Sequence, residues 1–267
     1  MSGYVGANSV AEKTGKLYWG DGASLAQAVQ KAYWGDPRGV AELWYQLGTP
    51  LGDRAVGGKV YFNVNNIRTE WIIVHQGLPG AMYDASCSGA WLLMKDIYES
   101  RQWRSSNRND YAKSTIHSYL NSTFLNLVES NIKNAIKQVK LPYREGSGTS
   151  KTVTSGSNGL SAKIFLLSAA EMSINVDMMP SGEGAELVYF KGCADESSDS
   201  KRVAKLNGSA SSWWLRSPYC SGSGQAMDVG SSGGWGSRYC SNSRGVRPAL
   251  ILPSTTLVDG EGNVLGG

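Results

Sequence analysis

Residues Ser212 to Leu252 read SWWLRSPYCSGSGQAMDVGSSGGWGSRYCSNSRGVRPALIL. The two ends, Trp213-Trp214-Leu215-Arg216-Ser217-Pro218 and Gly245-Val246-Arg247-Pro248-Ala249-Leu250, have the composition of folded core. Paired Trp and an Ala-Leu-Ile-Leu run bury well. From Tyr219 to Arg244 the chain is mostly Ser and Gly, with Tyr, Trp, Cys, Asn and Arg scattered among them. Two readings of that middle compete. One is a Gly/Ser linker. The other is a binding surface, in which aromatics and Arg give large contacts and Ser, Gly and Asn give adaptable hydrogen bonds. Trp235, Tyr219, Tyr239 and Met227, with the strand-like run that follows, favour the surface.

Working outward, the 267 residues suffice for one large domain with an appendage or for two small ones. The net charge of +4 is spread without a run, which gives no case for a nucleic-acid or membrane partner. Tyr (13) and Trp (9) outnumber Phe (4), so amphipathic, half-buried aromatic positions are expected. No apolar run approaches membrane-spanning length, so no membrane insertion is expected. The leading MSGYVGANSVAEKTG lacks the basic and apolar regions of a secretory signal. That predicts a route out of a cell, if there is one, such as virion release by lysis. Cys87, Cys193, Cys220 and Cys240 show no CxxC spacing, and only His75 and His117 are at hand, so no metal site or cofactor is predicted. A Cys220–Cys240 disulfide is one option, and free thiols are the default without a secretory signal.

Residues 1–48 carry a repeat. Lys16-Leu17-Tyr18-Trp19-Gly20-Asp21 recurs as Lys31-Ala32-Tyr33-Trp34-Gly35-Asp36, with a degenerate copy at Tyr4-Val5-Gly6-Ala7. Units this short must stack on neighbours or on other subunits. Residues 1–50 are therefore expected to serve oligomerisation (a homo-oligomer such as a trimer) or docking, against a plain leader. The main domain, residues 51–267, begins with strand patterns at Val60–Asn65 and Glu70–His75. Asp84–Trp103 shows a helical stripe, Trp91, Leu92, Met94, Ile97, Tyr98 and Trp103. A second helical region runs from Tyr111 to Val139, broken at Leu120–Thr123 with Ser122 or Thr123 as a cap and ended by Lys140-Leu141-Pro142. A Gly/Ser/Thr loop at Glu145–Gly159, a strand at Ala162–Leu167, a polar excursion at Gly182–Ser200 and a hairpin at Leu257–Val264 complete the pattern. The predicted class is α+β.

No catalytic constellation stands out: GxSxG, a phosphate-binding Gly loop and HExxH are all absent. His75 ends an apolar strand and reads as structural; His117 falls on an exposed helix face by periodicity. Asp195-Glu196 and Asp199 read as a solvated acidic loop before a cation site. Arg216 and Arg247 sit in apolar motifs beside Pro, where a guanidinium must be paired. They read as buried forks tying down the ends of the central segment, with an anion contact as the alternative.

The Trp213–Pro218 motif, the Gly/Ser/aromatic tract and Gly245–Leu250 together resemble the C-terminal part of C-type-lectin-fold proteins of bacteria and phages. More narrowly they resemble the variable proteins of diversity-generating retroelements. Trp91–Lys95 through Tyr119-Leu120-Asn121 and Ile136 is similar to the same domains, so the resemblance covers roughly residues 53–253. The Lys-x-Tyr repeats are similar to leaders of prophage tail-associated proteins. The resemblance implies a C-type-lectin-like fold with two helices. It also implies a variable region at about 213–250 rewritten by error-prone reverse transcription at adenines, and binding of varied protein targets, less so glycans, on a cell surface. By position the diversified residues are Tyr219, Cys220, Ser221, Ser223, Ser231, Ser232, Trp235, Ser237, Arg238, Tyr239, Ser241 and Asn242, on a scaffold of Trp213, Trp214, Arg216 and Arg247. It implies a phage-virion or bacterial location. Glu-Pro-Asn and Trp-Asn-Asp motifs of calcium-dependent sugar binders do not occur here. Formylglycine-generating enzymes share that fold, but their closely spaced cysteines are not matched by Cys220 and Cys240. The expected protein is a non-enzymatic receptor-recognition protein or adhesin. The runners-up are an oxidising or metal-dependent enzyme of that branch and a purely structural virion protein.

Overall fold

The computed structural model describes residues 48–193 and 199–266. The repeats of the first 47 residues, with the oligomerisation and docking expected of them, and the acidic pair Asp195-Glu196 lie outside the described residues.

Alternation sets the first hairpin. In β1 (Lys59–Val64) only Val60, Phe62 and Val64 are buried, the period of two expected of a half-buried strand. It pairs with β2 (Ile67–Gly77) through Asn65 and Asn66, at φ 52° and 61°. Asn tolerates the left-handed region, and two such residues make the tight turn whose twist matches its strands.

β3 (Gly89–Met94) corrects the helix expected over Asp84–Trp103, and Glu99–Gln102 is a further strand, β4. All six residues of β3 are buried. Ala90, Leu92 and Met94 enter one apolar core, while Trp91 and Leu93 enter another on the opposite face. A short run buried on both faces has no solvent side, so its apolar pattern imitates a helix. With β5 (Ile164–Phe165) and β10 (Ala249–Leu252) these strands form a sheet in the order β1-β2-β3-β10-β5. The strand expected over Ala162–Leu167 is thus divided: Leu160–Ala162 pairs instead with Val139–Leu141, where a helix end was expected.

The second five-stranded sheet is built from the quoted stretch. It contains β6 (Trp213–Pro218), β7 (Gln225–Val229), β8 (Trp235–Tyr239) and β9 (Ser243–Val246), in the order β8-β7-β6-β9-β4. Trp214, Ala226 and Val246 join the first core, and Trp213, Leu215, Met227 and Val229 the second.

Helix is confined to a small part. α1 (Thr115–Tyr119) starts at Ser114, whose Oγ accepts from His117 N at 3.1 Å. It runs on through a π turn (Leu120–Phe124) and a 3₁₀ turn (Leu125–Leu127), and α2 (Ser130–Ala135) follows. Of the row expected on one helical face, Ile116, Leu120, Phe124, Val128, Ile132, Ile136 and Val139 are buried, and Leu127 is half-buried. The caps differ: Ser114 and Glu129 precede the two helices, and neither Ser122 nor Thr123 caps one.

Of the described residues 35% lie in strands and 19% in helical turns of any kind. The protein is therefore mainly β, several sheets with one helical run of any length. The expected α+β, C-type-lectin-like fold with two helices is overturned. The apolar run of β3 carries a helix-like pattern, and the helical region expected up to Val139 runs into the strand Val139–Leu141.

Candidate ligand-binding surface

The surface is built outward from its anchors. All six residues of β6 are buried. The Trp213 and Trp214 indoles donate to Arg202 O and Arg101 O at 3.0 and 2.9 Å. Arg216 is fully enclosed: Nη1 and Nη2 donate to the two Glu171 carboxylate oxygens at 2.5 and 2.6 Å. Its other bonds reach the carbonyls of Pro142, Leu166 and Glu183. Burial alone would lower its pKa, but the Glu171 carboxylate reverses this and holds the guanidinium above its ordinary value. Tyr83 donates to the same carboxylate at 2.8 Å. Arg247, also buried, donates from Nε to Met94 O at 2.8 Å and lies 4.8 Å from the Trp213 ring centre. Burial pushes it down to about 10. Arg216 is a structural fork whose nitrogens are all engaged, whereas Arg247 is buried with a single hydrogen bond and its Nη1 has no partner among the described residues.

β6 and β9 pair in parallel at Trp213 and Gly245, and Gly245 N donates to Ser212 O at 2.9 Å. A Cβ on Gly245 would sit 2.7 Å from the Ile97 side chain, so glycine is the residue that lets the segment's return strand close on its start.

Between these anchors the chain is ordered, as a linker would not be. β7 and β8 form a hairpin in continuous register from Gln225–Tyr239 to Val229–Trp235. The preceding loop, Tyr219 to Gly224, is held from outside by the buried Asn109. Its Nδ2 donates to the carbonyls of Tyr219 and Gly222 at 3.2 and 3.0 Å, and its N donates to Ser223 O at 3.1 Å. Asn109 Oδ1 accepts from Gly148 N, and Arg144 Nη2 donates to Asn109 O at 2.6 Å. Asn107 Oδ1 accepts from Ser241 N at 3.1 Å. Sequence reasoning missed Asn107, Asn109 and Arg144, which sit in polar stretches that read as solvated loop.

The candidate residues divide by exposure. Ser221, Ser223, Ser231, Ser232, Arg238, Tyr239 and Asn242 are exposed, Tyr239 at 55%. Tyr219, Trp235, Ser237 and Ser241 are half-buried, and Tyr219 and Trp235 pack on the second core. The intervening Ala226, Met227, Asp228, Val229 and Cys240 are buried. Cys220 departs from the expected surface: it is only 5% exposed, its N donates to Met178 O at 2.7 Å, and its thiol faces Ser150 O.

All four cysteines are free, so Cys220 and Cys240 are not bridged. Burial pushes the Cys220 thiol up and the Cys240 thiol to about 12. Both are protonated at neutral pH, the opposite of an activated nucleophile. Among the described residues no group of three or more His, Cys, Asp or Glu could hold a metal ion. His75 is buried against Trp91, and burial lowers its pKa. His117 is not on an exposed face: its ring lies 5.2 Å from that of Tyr111, and burial pushes it down to about 4. Asp228 is buried, pushed up by that burial, and accepts from Arg244 Nε at 3.1 Å. A Cβ on Gly236 would lie 2.6 Å from Asp228 Oδ1, so a larger residue there would have to displace the Asp228 carboxylate.

These features define a mainly β domain that presents an anchored hairpin and two stapled loops as one surface. Residues 88–254 match the family described as Domain of unknown function (DUF6273). The match spans more than half of the chain, and the chain belongs to that family. No curated protein and no solved structure matches it.

Proposed function

We propose that the protein is a ligand-binding, receptor-recognition protein whose Tyr219–Asn242 surface contacts a protein target and is diversified by a retroelement. The observation that carries the reading is the division by exposure. Positions assigned to ligand contact face solvent or the surface rim, Cys220 excepted, while Ala226, Met227, Asp228, Val229 and Cys240 between them are buried. Such a surface can change without rebuilding its support. Tyr219, Trp235 and Tyr239 supply the aromatic anchors that dominate binding energy, on a backbone that is already ordered and so loses little freedom on binding. The repeats of residues 1–48 serve self-association or docking on a larger particle, which raises avidity where one site is weak. The setting is a phage particle or a bacterial surface; no helix of the described residues is long and apolar enough to cross a membrane.

The test is deep sequencing of the 3′ end of the gene in its source population, with the flanking DNA. The expected result is variation confined to codons 219–242, beside a template repeat differing at adenines and a reverse transcriptase gene. An invariant sequence without a template would remove diversification and point to one dedicated ligand.

A further inference from the structure

The carboxyl of Glu183 sits at the root of the staple that holds the Tyr219–Gly224 loop. Glu183 is fully buried. Its Oε1 accepts from one neutral donor, Arg144 N, at 3.2 Å, and its Oε2 has no partner among the described residues. Two guanidiniums face it, and both are turned elsewhere. Arg216 gives its Nη atoms to Glu171 and to carbonyls, and reaches Glu183 only at the main-chain oxygen. Arg144, itself 1% exposed, donates from Nη1 to Gly148 O at 3.0 Å and from Nη2 to Asn109 O at 2.6 Å. Arg144 Nε is buried without a partner among the described residues, and among them no ion pair joins Arg144 to a carboxylate.

A carboxylate at Glu183 would be a buried charge met by a single neutral donor, which costs far more than burying the neutral acid. The surrounding groups favour the same form. Glu171 adds a like charge, and the Ser217 hydroxyl that faces the carboxyl also accepts from Ala169 N at 2.8 Å. The Tyr111 phenol and the Cys220 thiol face it as neutral groups, each pushed up by burial. Burial, opposed in part by the Arg216 charge, raises Glu183 above the ordinary 4.5.

The carboxyl has no way out to solvent. The next residue, Gly184, lies at φ 135°, and a Cβ there would sit 2.7 Å from Tyr83 Oη and 2.9 Å from Ser168 Oγ. The main chain at Glu183 is therefore wedged in place. Arg144 is the member free to turn, because its Nη atoms hold only carbonyls and a carboxylate is the stronger acceptor.

We propose that Glu183 is a proton-operated latch: its neutral acid leaves Arg144 on Gly148 O and Asn109 O, and the carboxylate formed when the proton passes to solvent draws that guanidinium across. The two orphaned atoms, Arg144 Nε and Glu183 Oε2, then become partners. Asn109 loses its anchor, and because its Nδ2 holds Tyr219 O and Gly222 O, the loop above it loosens. The folded state favours the neutral form, so the stability Glu183 contributes is complete below 4.5 and is lost as pH rises through its folded value. The latch rests on the recognition reading above for the role of the loop, but not for its loosening.

The experiment compares the full chain with Glu183→Gln, which copies the neutral acid and cannot ionise, from about pH 5 to about pH 9. At about pH 6, where exposed carboxylates are ionised, the parent should show an infrared band of a protonated carboxyl that the variant lacks. The parent's urea midpoint should fall relative to the variant's as pH rises. Amide protection of residues 219–224, corrected for intrinsic exchange rates, should drop about tenfold in the parent and hold in the variant, the equivalent of one buried hydrogen bond lost. A variant less stable than the parent at every pH, with no difference in the band, overturns the latch, since Glu183 would then be ionised throughout. A band and midpoint that respond while loop protection does not would overturn it as well. Should the variant fail to fold, the parent's protection profile decides alone, and a flat profile sinks the proposal. A pH response with invariant codons 219–242 keeps the latch and removes diversification; variable codons without a pH response do the reverse.

Discussion

Replacing Arg216 with Met should remove the keystone beneath the recognition surface. The guanidinium and the Glu171 carboxylate are both fully buried and doubly bonded. The substitution leaves that carboxylate with only Tyr83 Oη and Ser168 N as donors, and deprives the carbonyls of Pro142, Leu166 and Glu183 of theirs. Breaking a buried pair from one side costs about 3–5 kcal/mol, because the remaining charge stays buried without compensation. A domain holds only about 5–15 kcal/mol in all, so the variant is expected to lose on the order of 10–20 °C in melting temperature or to fail to fold. The double variant Arg216→Met/Glu171→Met removes both charges and fills the space with apolar atoms. It should recover at least about 2 kcal/mol of the loss, since apolar replacement of a whole buried pair is often close to neutral. Guanidinium chloride unfolding followed by Trp fluorescence gives both values, provided the m-value is unchanged. A single variant that loses less than about 1 kcal/mol, the level of an exposed pair, would refute the reasoning. So would a double variant less stable than the single one.

Two further outcomes follow from the same geometry. Burial holds the His117 imidazole down at about 4, so the folded state favours its neutral form. The stability it contributes is complete above the unfolded value near 6.5 and is lost as pH falls from there towards 4, by at most about 3 kcal/mol. His117→Gln should flatten this part of the urea-midpoint profile between pH 7 and pH 4.5; profiles that stay parallel to the parent's would sink the assignment. Asn109→Ala leaves the Tyr219 and Gly222 carbonyls without their side-chain donor, and unmade buried bonds cost about 1–3 kcal/mol. Amide exchange in residues 219–224 should accelerate while β3 stays protected; unchanged exchange there would show that the loop does not depend on Asn109.

Legibility in the sequence followed physical locality. The strands of the first hairpin were legible because one face of β1 is wet, though the expected strand ran on to Asn65, which the structure places in the turn. Most of the apolar row from Ile116 to Val139 is buried, since a helix that buries one stripe prints its period on the chain, but the row crosses the extended Val128 and ends in a strand at Val139. Trp91, Leu92, Leu93 and Met94 misled because both faces of β3 are covered, and no solvent side breaks the run. That misreading carried the fold class with it. At the site, Arg216 and Arg247 announced themselves as arginines stranded among apolar residues. Their partners did not, because Glu171 lies 45 residues from Arg216 and Met94 lies 153 from Arg247. Asn109 was invisible for the opposite reason. It looks like its polar neighbours, and only the carbonyls of a distant loop make it structural.

The separation between anchors and surface also says which candidate positions are free to vary. Exposed substitutions usually shift stability by about 0.5 kcal/mol or less, so Ser221, Ser223, Ser231, Arg238, Tyr239 and Asn242 can change together without consuming the stability of a domain. Tyr219 and Trp235 lean on the second core, and small residues there would open part of it. Cys220 has least freedom, because its side chain is enclosed, and a larger one would have to displace backbone around Ser150 or Met178 at about 1–3 kcal/mol. If the segment is diversified, codon 220 should hold small side chains in every functional copy while codons 221 and 223 range widely. Bulky residues at 220 as common as at 221 would mean that this loop is not the rigid platform its hydrogen bonds describe.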